Sequence, residues 1–245
     1  MSEHIRQHLS RADPVMAGLV AAVGAYTLVP ATTLPPFRAL ARAITAQQLN
    51  GTAAKTIFDR FVGLYAPAAF PSPEAVLATP VARLRGTGLS RGKIASLQDL
   101  ATKVLDGTVP TLEALRGLDD AAIIERVTVV RGIGRWTVEM MLMFHLGRAD
   151  VLPVGDFGVR AGFRLAYGLR ALPDPGALAA YGEIWRPHRT AAAWYLWRAV
   201  ELSRAGSLPQ PCVRVRLPRV RRKVRRKAAR RATRIRKIKK PRARK

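Results

Sequence analysis

The strongest constraint on the fold is that apolar residues recur at helical spacing along most of the chain. Few stretches alternate apolar and polar residues with the period of two that half-buried strands show. Glycine and proline interrupt the helical pattern at short intervals, so the sequence predicts an all-α fold with connections of a few residues. The predicted helices span residues 13–24, 36–47, 51–65, 73–78, 80–85, 90–106, 111–115, 119–130, 135–146, 156–169, 175–182 and 187–205.

Several of these helices carry sequence signals at their ends. Asp13, Ser90 and Thr111 are side chains of the kind that cap a helix N-terminus, because their oxygens accept hydrogen bonds from first-turn amides. Gly107 and Gly147 follow the last periodic residue of their helices, where glycine commonly ends a helix. These signals set the predicted helix boundaries.

Positive charge is concentrated at the C-terminus. The chain has a formal net charge of +26, and residues 214–245 hold 19 Lys or Arg and no acid, which leaves 23 basic and 16 acidic residues before them. We therefore expect residues 209–245 to form a disordered basic tail whose partner is a polyanion, with nucleic acid favoured. A ribosomal or polyphosphate partner, or a tail without a target, is the alternative.

Composition also limits the other function classes. The single cysteine, Cys212, excludes an intrachain disulfide and a cysteine-rich metal site. Apolar runs are too short for a membrane span, and the segment "MSEHIRQHLS" is too polar for a signal peptide. We expect a cytoplasmic protein that associates with the nucleoid.

The segment "RGIG" separates two predicted helices and is a candidate phosphate-binding corner. Unpaired amides near Gly132 and Gly134, at the start of the second helix, can bind a phosphate with the help of the helix dipole. Thr137 can add a hydroxyl from the first turn. An ordinary tight corner between helices is the alternative, and the basic character of the chain favours phosphate binding.

Asp156 begins a further predicted helix after a loop that contains proline and glycine. A carboxylate there can stabilise a cationic sugar transition state or orient a water molecule. The alternatives are that Asp156 caps the helix, or that it pairs with Arg160 four residues later. This segment by itself favours capping.

Taken together, the segments resemble one family. "RGIGRWTVEMMLMF" followed by "LPVGDFGVR" resembles the helix-hairpin-helix and aspartate signature of the HhH-GPD DNA glycosylase superfamily. The resemblance extends over about residues 13–205, in order and spacing. Three further segments resemble its AlkA-like 3-methyladenine DNA glycosylase II branch: "FRALARAITAQQLNGTAAKTIFDRF", "GTGLSRGKIASLQDLA" and "WRPHRTAAAWYLW".

The resemblance implies a two-lobed helical fold with a central DNA-binding cleft, formed by residues 1–208. It implies the compact form of the family, without the additional N-terminal sheet domain of longer members. It also implies removal of alkylated purines from duplex DNA, with the damaged nucleotide flipped out of the stack.

The resemblance assigns roles to three residues of the cleft. Asp156 matches the essential aspartate, and Trp136 and Trp197 match aromatic residues that line the base pocket. Indole faces attract a cationic purine. From its own segment alone, Trp197 is ordinarily a core residue of an apolar helix. Bifunctional members carry a lysine where this chain has Trp136, so we expect no strand cleavage.

The resemblance also marks "QQLNG" as the loop that enters the duplex. Leu49 is the candidate wedge, and Gln47, Gln48 and Asn50 are candidate minor-groove contacts. The alternative is a cluster of amides at a helix end with one buried leucine. Asn50 departs from the serine that is frequent in the family, and Gly155 stands where some members have a second acid.

These observations predict a monomeric enzyme whose partner is double-stranded DNA containing alkylated bases. We expect no required cofactor and no metal ligands from side chains, and the resemblance implies a structural monovalent cation on the hairpin carbonyls. Two other functions stay open: a non-catalytic helix-hairpin-helix DNA-binding protein, and a glycosylase for deaminated bases.

Overall fold

The described part of the protein is helical, as the sequence predicts. The computed structural model describes residues 2–213 and 215–218, and within them there are thirteen α-helices, one short 3-10 helix and no strand. No helix in this part combines the length and apolarity that crossing a bilayer requires. The helices are α1 (Ser2–Ala12), α2 (Pro14–Val23), α3 (Pro36–Ala46), α4 (Gly51–Gly63), α5 (Pro73–Ala78), α6 (Val81–Gly86), α7 (Arg91–Leu105), α8 (Leu112–Gly117), α9 (Asp120–Val127), α10 (Arg135–Phe144), α11 (Phe157–Ala166), α12 (Pro175–Tyr181), the 3-10 helix (Gly182–Trp185) and α13 (Arg189–Arg204).

The predicted caps are confirmed. Asp13 accepts hydrogen bonds from the amides of the α2 first turn, and Ser90 and Thr111 cap α7 and α8 in the same way. Gly107 and Gly147 adopt φ of 78° and 67°, the left-handed region that favours glycine. Local chemistry therefore fixes these boundaries.

Helix α1 was not among the predicted helices. Only Ile5 and Leu9 of this polar segment are buried, and they lie one turn apart on the face that packs against α2 and the 3-10 helix. Two apolar residues give a weak periodic signal, so tertiary packing stabilises a helix that the pattern leaves unmarked.

The helices pack in two groups. In the first, α7 packs against α3, α5 and α6, and α3 also packs against α4 and α10. In the second, α13 packs against α2, α11 and the 3-10 helix. The first lobe is formed by one continuous stretch of the chain, whereas the second lobe combines helices from both ends of the helical region.

Asp13 joins the N-terminal helices to the second lobe. Its carboxylate is fully buried and accepts hydrogen bonds from the Trp185 indole N–H at 3.0 Å, the Tyr181 hydroxyl at 3.2 Å and the Tyr167 hydroxyl. Burial, together with the adjacent Asp13 charge, raises the pKa of Tyr167 well above its ordinary value. A residue predicted as a helix cap is also the centre of a buried polar network.

The predicted tail begins in contact with the body. Val215 and Leu217 pack against the hydrophobic core, and the Cys212 thiol lies 3.5 Å from the carbonyl oxygen of Pro14. These contacts extend past residue 208, where we predicted the folded region to end. The predicted disorder of residues 219–245 falls outside the described residues.

Candidate active site

The corner between α9 and α10 leaves backbone amides free. Helix α9 ends at Val127, earlier than predicted, and Ile133 turns back into the core. Gly132 has φ of 77°, whereas Gly134 is extended and caps α10 without a side-chain hydrogen bond. The amides of Gly132, Gly134 and the next two residues donate no hydrogen bond to any described residue. This is the geometry that binds an anion at a helix start.

Side chains from outside the corner hold it in place. The Asp99 carboxylate accepts a hydrogen bond from the Arg131 amide at 2.7 Å, and the Gln47 side-chain amide donates to the Gly132 carbonyl at 2.8 Å. Gln47, predicted as a minor-groove contact, therefore also connects its own loop to the corner. Asp99 was missed because it lies 32 residues before its partner.

The "QQLNG" loop projects Leu49. Gln48 has φ of 58°, the left-handed region that non-glycine residues rarely adopt and that is common at functional sites. Leu49 follows with 38% of its surface exposed, which differs from the buried leucine of the alternative. Asn50 caps α4 by accepting from the Ala53 amide at 2.9 Å, and serine caps equally well, so this departure from the family keeps the local structure.

A cavity of about 560 Å³ lies between α3 and α10. Trp136, which is 50% exposed, forms part of its wall with Leu49 and Thr137. Thr137 is buried, so its side chain lies in the wall of the cavity and not on the surface of the corner. Gln47, Gln48 and His145 are the other polar side chains of the wall. The rest of the wall is largely apolar and includes Ala39, Leu40, Ala43, Met140, Met141 and Phe144.

Asp156 lies at the end of this arrangement, where α10, α11 and α13 meet. One carboxylate oxygen, Oδ2, accepts from the Trp136 indole N–H at 2.7 Å. The other, Oδ1, accepts from the Trp197 indole N–H at 2.9 Å and from the Val159 amide at 2.7 Å. The structure thus brings together the acid and both indoles predicted from the sequence.

Two of the alternatives for Asp156 have different outcomes. The bond to the Val159 amide makes Asp156 the cap of α11, so capping coexists with exposure to the site. The Arg160 guanidinium instead donates to the Pro173 carbonyl at 3.0 Å, so the alternative in which Arg160 pairs with Asp156 is wrong. The loop before Asp156 is anchored from α13, where the Thr190 hydroxyl donates to the Arg148 carbonyl at 2.6 Å.

Trp197 does not line the cavity. Its ring stacks on Phe144, with centroids 5.9 Å apart and planes 19° from parallel, and Phe144 forms the wall in its place. Phe144 was missed as a site residue because it reads as one more apolar residue of α10. The sequence offers no signal that distinguishes it from core.

Glu139 is a second residue near the site that the sequence analysis did not predict. It is buried one turn after Arg135, whose guanidinium donates to it at 2.8 Å. Burial raises the pKa of Glu139 above its ordinary value, Arg135 opposes the rise, and the nearby Asp156 charge adds to it. The four-residue spacing of Arg135 and Glu139, which is typical of an ion pair on a helix, was the sequence signal that could have identified Glu139.

The comparison with protein families identifies the arrangement. Residues 41–187, which include the corner, the "QQLNG" loop and Asp156, match the model described as "HhH-GPD superfamily base excision DNA repair protein". The chain belongs to the HhH-GPD superfamily. Trp136 and Asp156 are therefore parts of a helix-hairpin-helix repair protein. The all-α class predicted from periodicity and the HhH-GPD fold implied by the resemblance are confirmed.

Individual relatives extend over most of the chain. It is 40% identical over 199 residues to DNA-3-methyladenine glycosylase 1 of Schizosaccharomyces pombe, covering 80% of this chain and 86% of the relative. A solved structure of the Schizosaccharomyces pombe 3-methyladenine DNA glycosylase in complex with abasic DNA has 39% identity and a TM-score of 0.74, covering 82% and 98% of the two chains. A Bacillus halodurans DNA-3-methyladenine glycosidase structure has 32% identity and a TM-score of 0.67, covering 79% and 92%.

Proposed function

We propose that the protein is a monofunctional DNA glycosylase that acts as a monomer on duplex DNA and excises alkylated purines of the 3-methyladenine class. The observation that carries the proposal is the Asp156 carboxylate, which accepts hydrogen bonds from both indoles beside a cavity large enough for a purine. The substrate class is supported by the relatives, which are named 3-methyladenine DNA glycosylases.

The free amides at Gly132 and Gly134 bind a phosphate and hold the strand. They give no information about base sequence, because every nucleotide carries the same phosphate. Leu49 enters the duplex where the damaged nucleotide leaves it, and Gln48 and Asn50 flank that position. Flipping costs a few kcal/mol, and it costs least where alkylation has already weakened pairing.

The flipped purine enters the cavity against the face of Trp136. An alkylated purine carries positive charge, and an aromatic face attracts a desolvated cation by about 2 kcal/mol. The cavity wall includes no acidic side chain among the described residues. Aromatic, thioether and uncharged polar groups therefore surround the base, and the carboxylate acts on the sugar.

Asp156 stabilises the sugar during bond cleavage. The bond from C1′ to the purine nitrogen breaks and its electron pair leaves with the base, whose positive charge it neutralises. The sugar then carries positive charge, and Asp156 offsets it. A water oxygen bonds to C1′, its proton is released to solvent, and an abasic site results.

Trp136 occupies the position at which a lysine would be needed for strand cleavage. An indole N–H cannot form a Schiff base with the opened sugar. We therefore expect no covalent adduct when the protein, abasic DNA and borohydride are mixed. A trapped adduct would contradict the monofunctional assignment while leaving the glycosylase assignment unchanged.

No cofactor takes part in these steps. A monovalent cation fits the corner chemically, because the carbonyl oxygens of Thr128 and Ile133 accept no hydrogen bond from any described residue. Backbone carbonyls can replace the hydration shell of such an ion. Its contribution would be to hold the corner and the strand phosphate together.

Base release tests the proposal. Duplex DNA treated with a methylating agent, and oligonucleotides that carry 1,N6-ethenoadenine, hypoxanthine or uracil, are incubated with the protein and the released bases are quantified. Release of 3-methyladenine is expected. Binding without release at any concentration would support the non-catalytic alternative, and release of hypoxanthine or uracil alone would support the deaminated-base alternative.

Asp156→Asn tests the residue that carries the proposal. Asparagine keeps a helix cap and an acceptor for Trp197 but removes the charge, so we expect DNA affinity to persist and excision to fall by about 100-fold or more. Asp174→Asn is the matched control, since Asp174 caps α12 through the Gly176 amide and contacts no residue of the site. Equal rates for the two variants would remove Asp156 from the mechanism.

A further inference from the structure

The two oxygens of Asp156 have different surroundings. Oδ1 accepts two hydrogen bonds, from Trp197 and from the Val159 amide, and Oδ2 accepts one, from Trp136. Trp136 is half exposed and lines the cavity, whereas Trp197 is partly buried and packs behind Phe144. Oδ1 is therefore held by groups of the protein interior, and Oδ2 faces the cavity side of the site, which a ligand can reach.

Glycine at position 158 makes the contact between Trp197 and Oδ1 feasible. A Cβ atom there would lie 2.8 Å from Cδ1 and 3.0 Å from Nε1 of Trp197, and 3.1 Å from Oδ1 of Asp156. The φ of Gly158 is not in the left-handed region, so the backbone alone would accept alanine. The requirement for glycine comes from the indole and the carboxylate.

A second glycine brings the whole of α13 close to α11. A Cβ atom at Gly162, one turn after Gly158, would lie 1.8 Å from the Leu196 carbonyl oxygen. The two helices thus touch backbone to backbone immediately before Trp197. The Phe144 ring then covers one face of the Trp197 indole, and Gly158 lies at its Nε1 edge.

We infer that Trp197 is a positioning residue for the proposed reaction, and not a wall of the base pocket: its indole N–H, held in place by Gly158 and Gly162, fixes Oδ1 so that Oδ2 faces the flipped sugar. The inference rests on the proposed function of Asp156. The outer torsion of an aspartate is soft, and two donors on one oxygen restrict its rotation. Trp136 is then the donor that shares Oδ2 with the developing sugar cation.

A pair of DNA ligands measures this positioning without turnover. One duplex carries a neutral tetrahydrofuran abasic nucleotide, and the other carries a pyrrolidine in its place, which is protonated and mimics the sugar cation. The ratio of the two dissociation constants isolates the attraction between the carboxylate and the cation, because the phosphate contacts are common to both ligands.

Three variants are compared with the wild type. Trp197→Phe keeps a stacking ring and removes the N–H, and Gly158→Ala keeps the indole and displaces it. Trp194→Phe is the matched control, because Trp194 lies in the same helix and its N–H donates to no described residue. We expect the preference for the cationic ligand to fall roughly five- to tenfold in the first two and to be unchanged in the control.

The outcomes separate this inference from the function on which it rests. Asp156→Asn should abolish the preference, and if it does not, the proposed role of Asp156 is wrong. If Asp156→Asn abolishes it while Trp197→Phe and Gly158→Ala keep the wild-type ratio, only the positioning role is overturned. Affinity for the neutral duplex and a thermal melt identify a variant that fails to fold, in which case the other variant decides.

Discussion

The two glycines of the "RGIG" corner should respond in opposite ways to the addition of one methyl group. Gly132 has φ of 77°, and a Cβ there would lie 2.8 Å from the Ser96 hydroxyl oxygen on α7. Gly134 has φ of −97°, and nothing lies within 4 Å of its Cβ position. Alanine at position 132 should therefore destabilise the fold more than alanine at position 134.

The expected loss of stability in Gly132→Ala follows from the backbone conformation at position 132 and from the contact with Ser96. A non-glycine residue in the left-handed region costs about 1–2 kcal/mol, and displacing Ser96 adds about 1 kcal/mol. A total of about 2–3 kcal/mol lowers the melting temperature of a domain of this size by about 4–12 °C. Gly134→Ala replaces an acceptable cap by a poorer one and costs about 1 kcal/mol or less.

DNA affinity should instead fall more in Gly134→Ala than in Gly132→Ala. The methyl group of Gly134→Ala lies beside the unbonded amides that we propose bind the phosphate, where glycine permits close approach. We expect its affinity for a tetrahydrofuran abasic duplex to fall about tenfold. Folded Gly132→Ala should bind more nearly like the wild type.

Thermal melts and fluorescence anisotropy measure the two quantities. A second-site control, Ser96→Ala in the Gly132→Ala background, removes the clashing oxygen and should recover part of the lost stability. Equal melting temperatures for the two glycine variants would refute the geometric reasoning. Equal DNA affinities would refute the reasoning that a methyl group at position 134 obstructs the phosphate.

Three further predictions concern other parts of the chain. Asp13→Ala should lower the free energy of unfolding by about 3–5 kcal/mol in urea melts, because it leaves buried tyrosine and tryptophan donors without an acceptor; a loss below about 1 kcal/mol would contradict this. Burial and the neighbouring His4 and His8 charges lower the pKa of His188, so its neutral form stabilises the fold above about pH 6.5 and this stability is lost as the pH falls further. The melting temperature should therefore drop between about pH 7 and 5, with a smaller drop in His188→Gln, and parallel curves would exclude the residue. Deleting residues 214–245 should weaken DNA binding and flatten its dependence on salt without abolishing excision, and an unchanged salt slope would show that the tail does not contact phosphate.

The parts of the fold that local chemistry determines could be predicted from the sequence. Ser90 and Thr111 begin their helices where their side chains predict, and Asp156 lies beside Trp136 as the family resemblance implies. Helix α1 could not be predicted, because its two buried residues acquire meaning only against α2 and the 3-10 helix. Its stability comes from tertiary contact and not from propensity.

The candidate site likewise combines residues that the sequence predicts with contacts that only the packing of the helices determines. The sequence identifies Trp197 as an aromatic residue near the acid, but it does not say whether the ring face or the N–H edge acts. That choice depends on how closely α13 approaches α11, which the absence of side chains at Gly158 and Gly162 determines. Gln47 presents a similar case, because its partner carbonyl lies 85 residues away.

The way that Asp13 joins α2 to the C-terminal helices has a consequence during biosynthesis. The first lobe is continuous in sequence and can form as soon as α10 leaves the ribosome. The lobe that carries Asp156 needs α2 and α13 together, and at 5–20 residues per second about 10–40 s separate their appearance. For that interval α1 alone covers the buried face of α2, with Val15, Met16 and Leu19, so chaperone binding and aggregation compete with folding there.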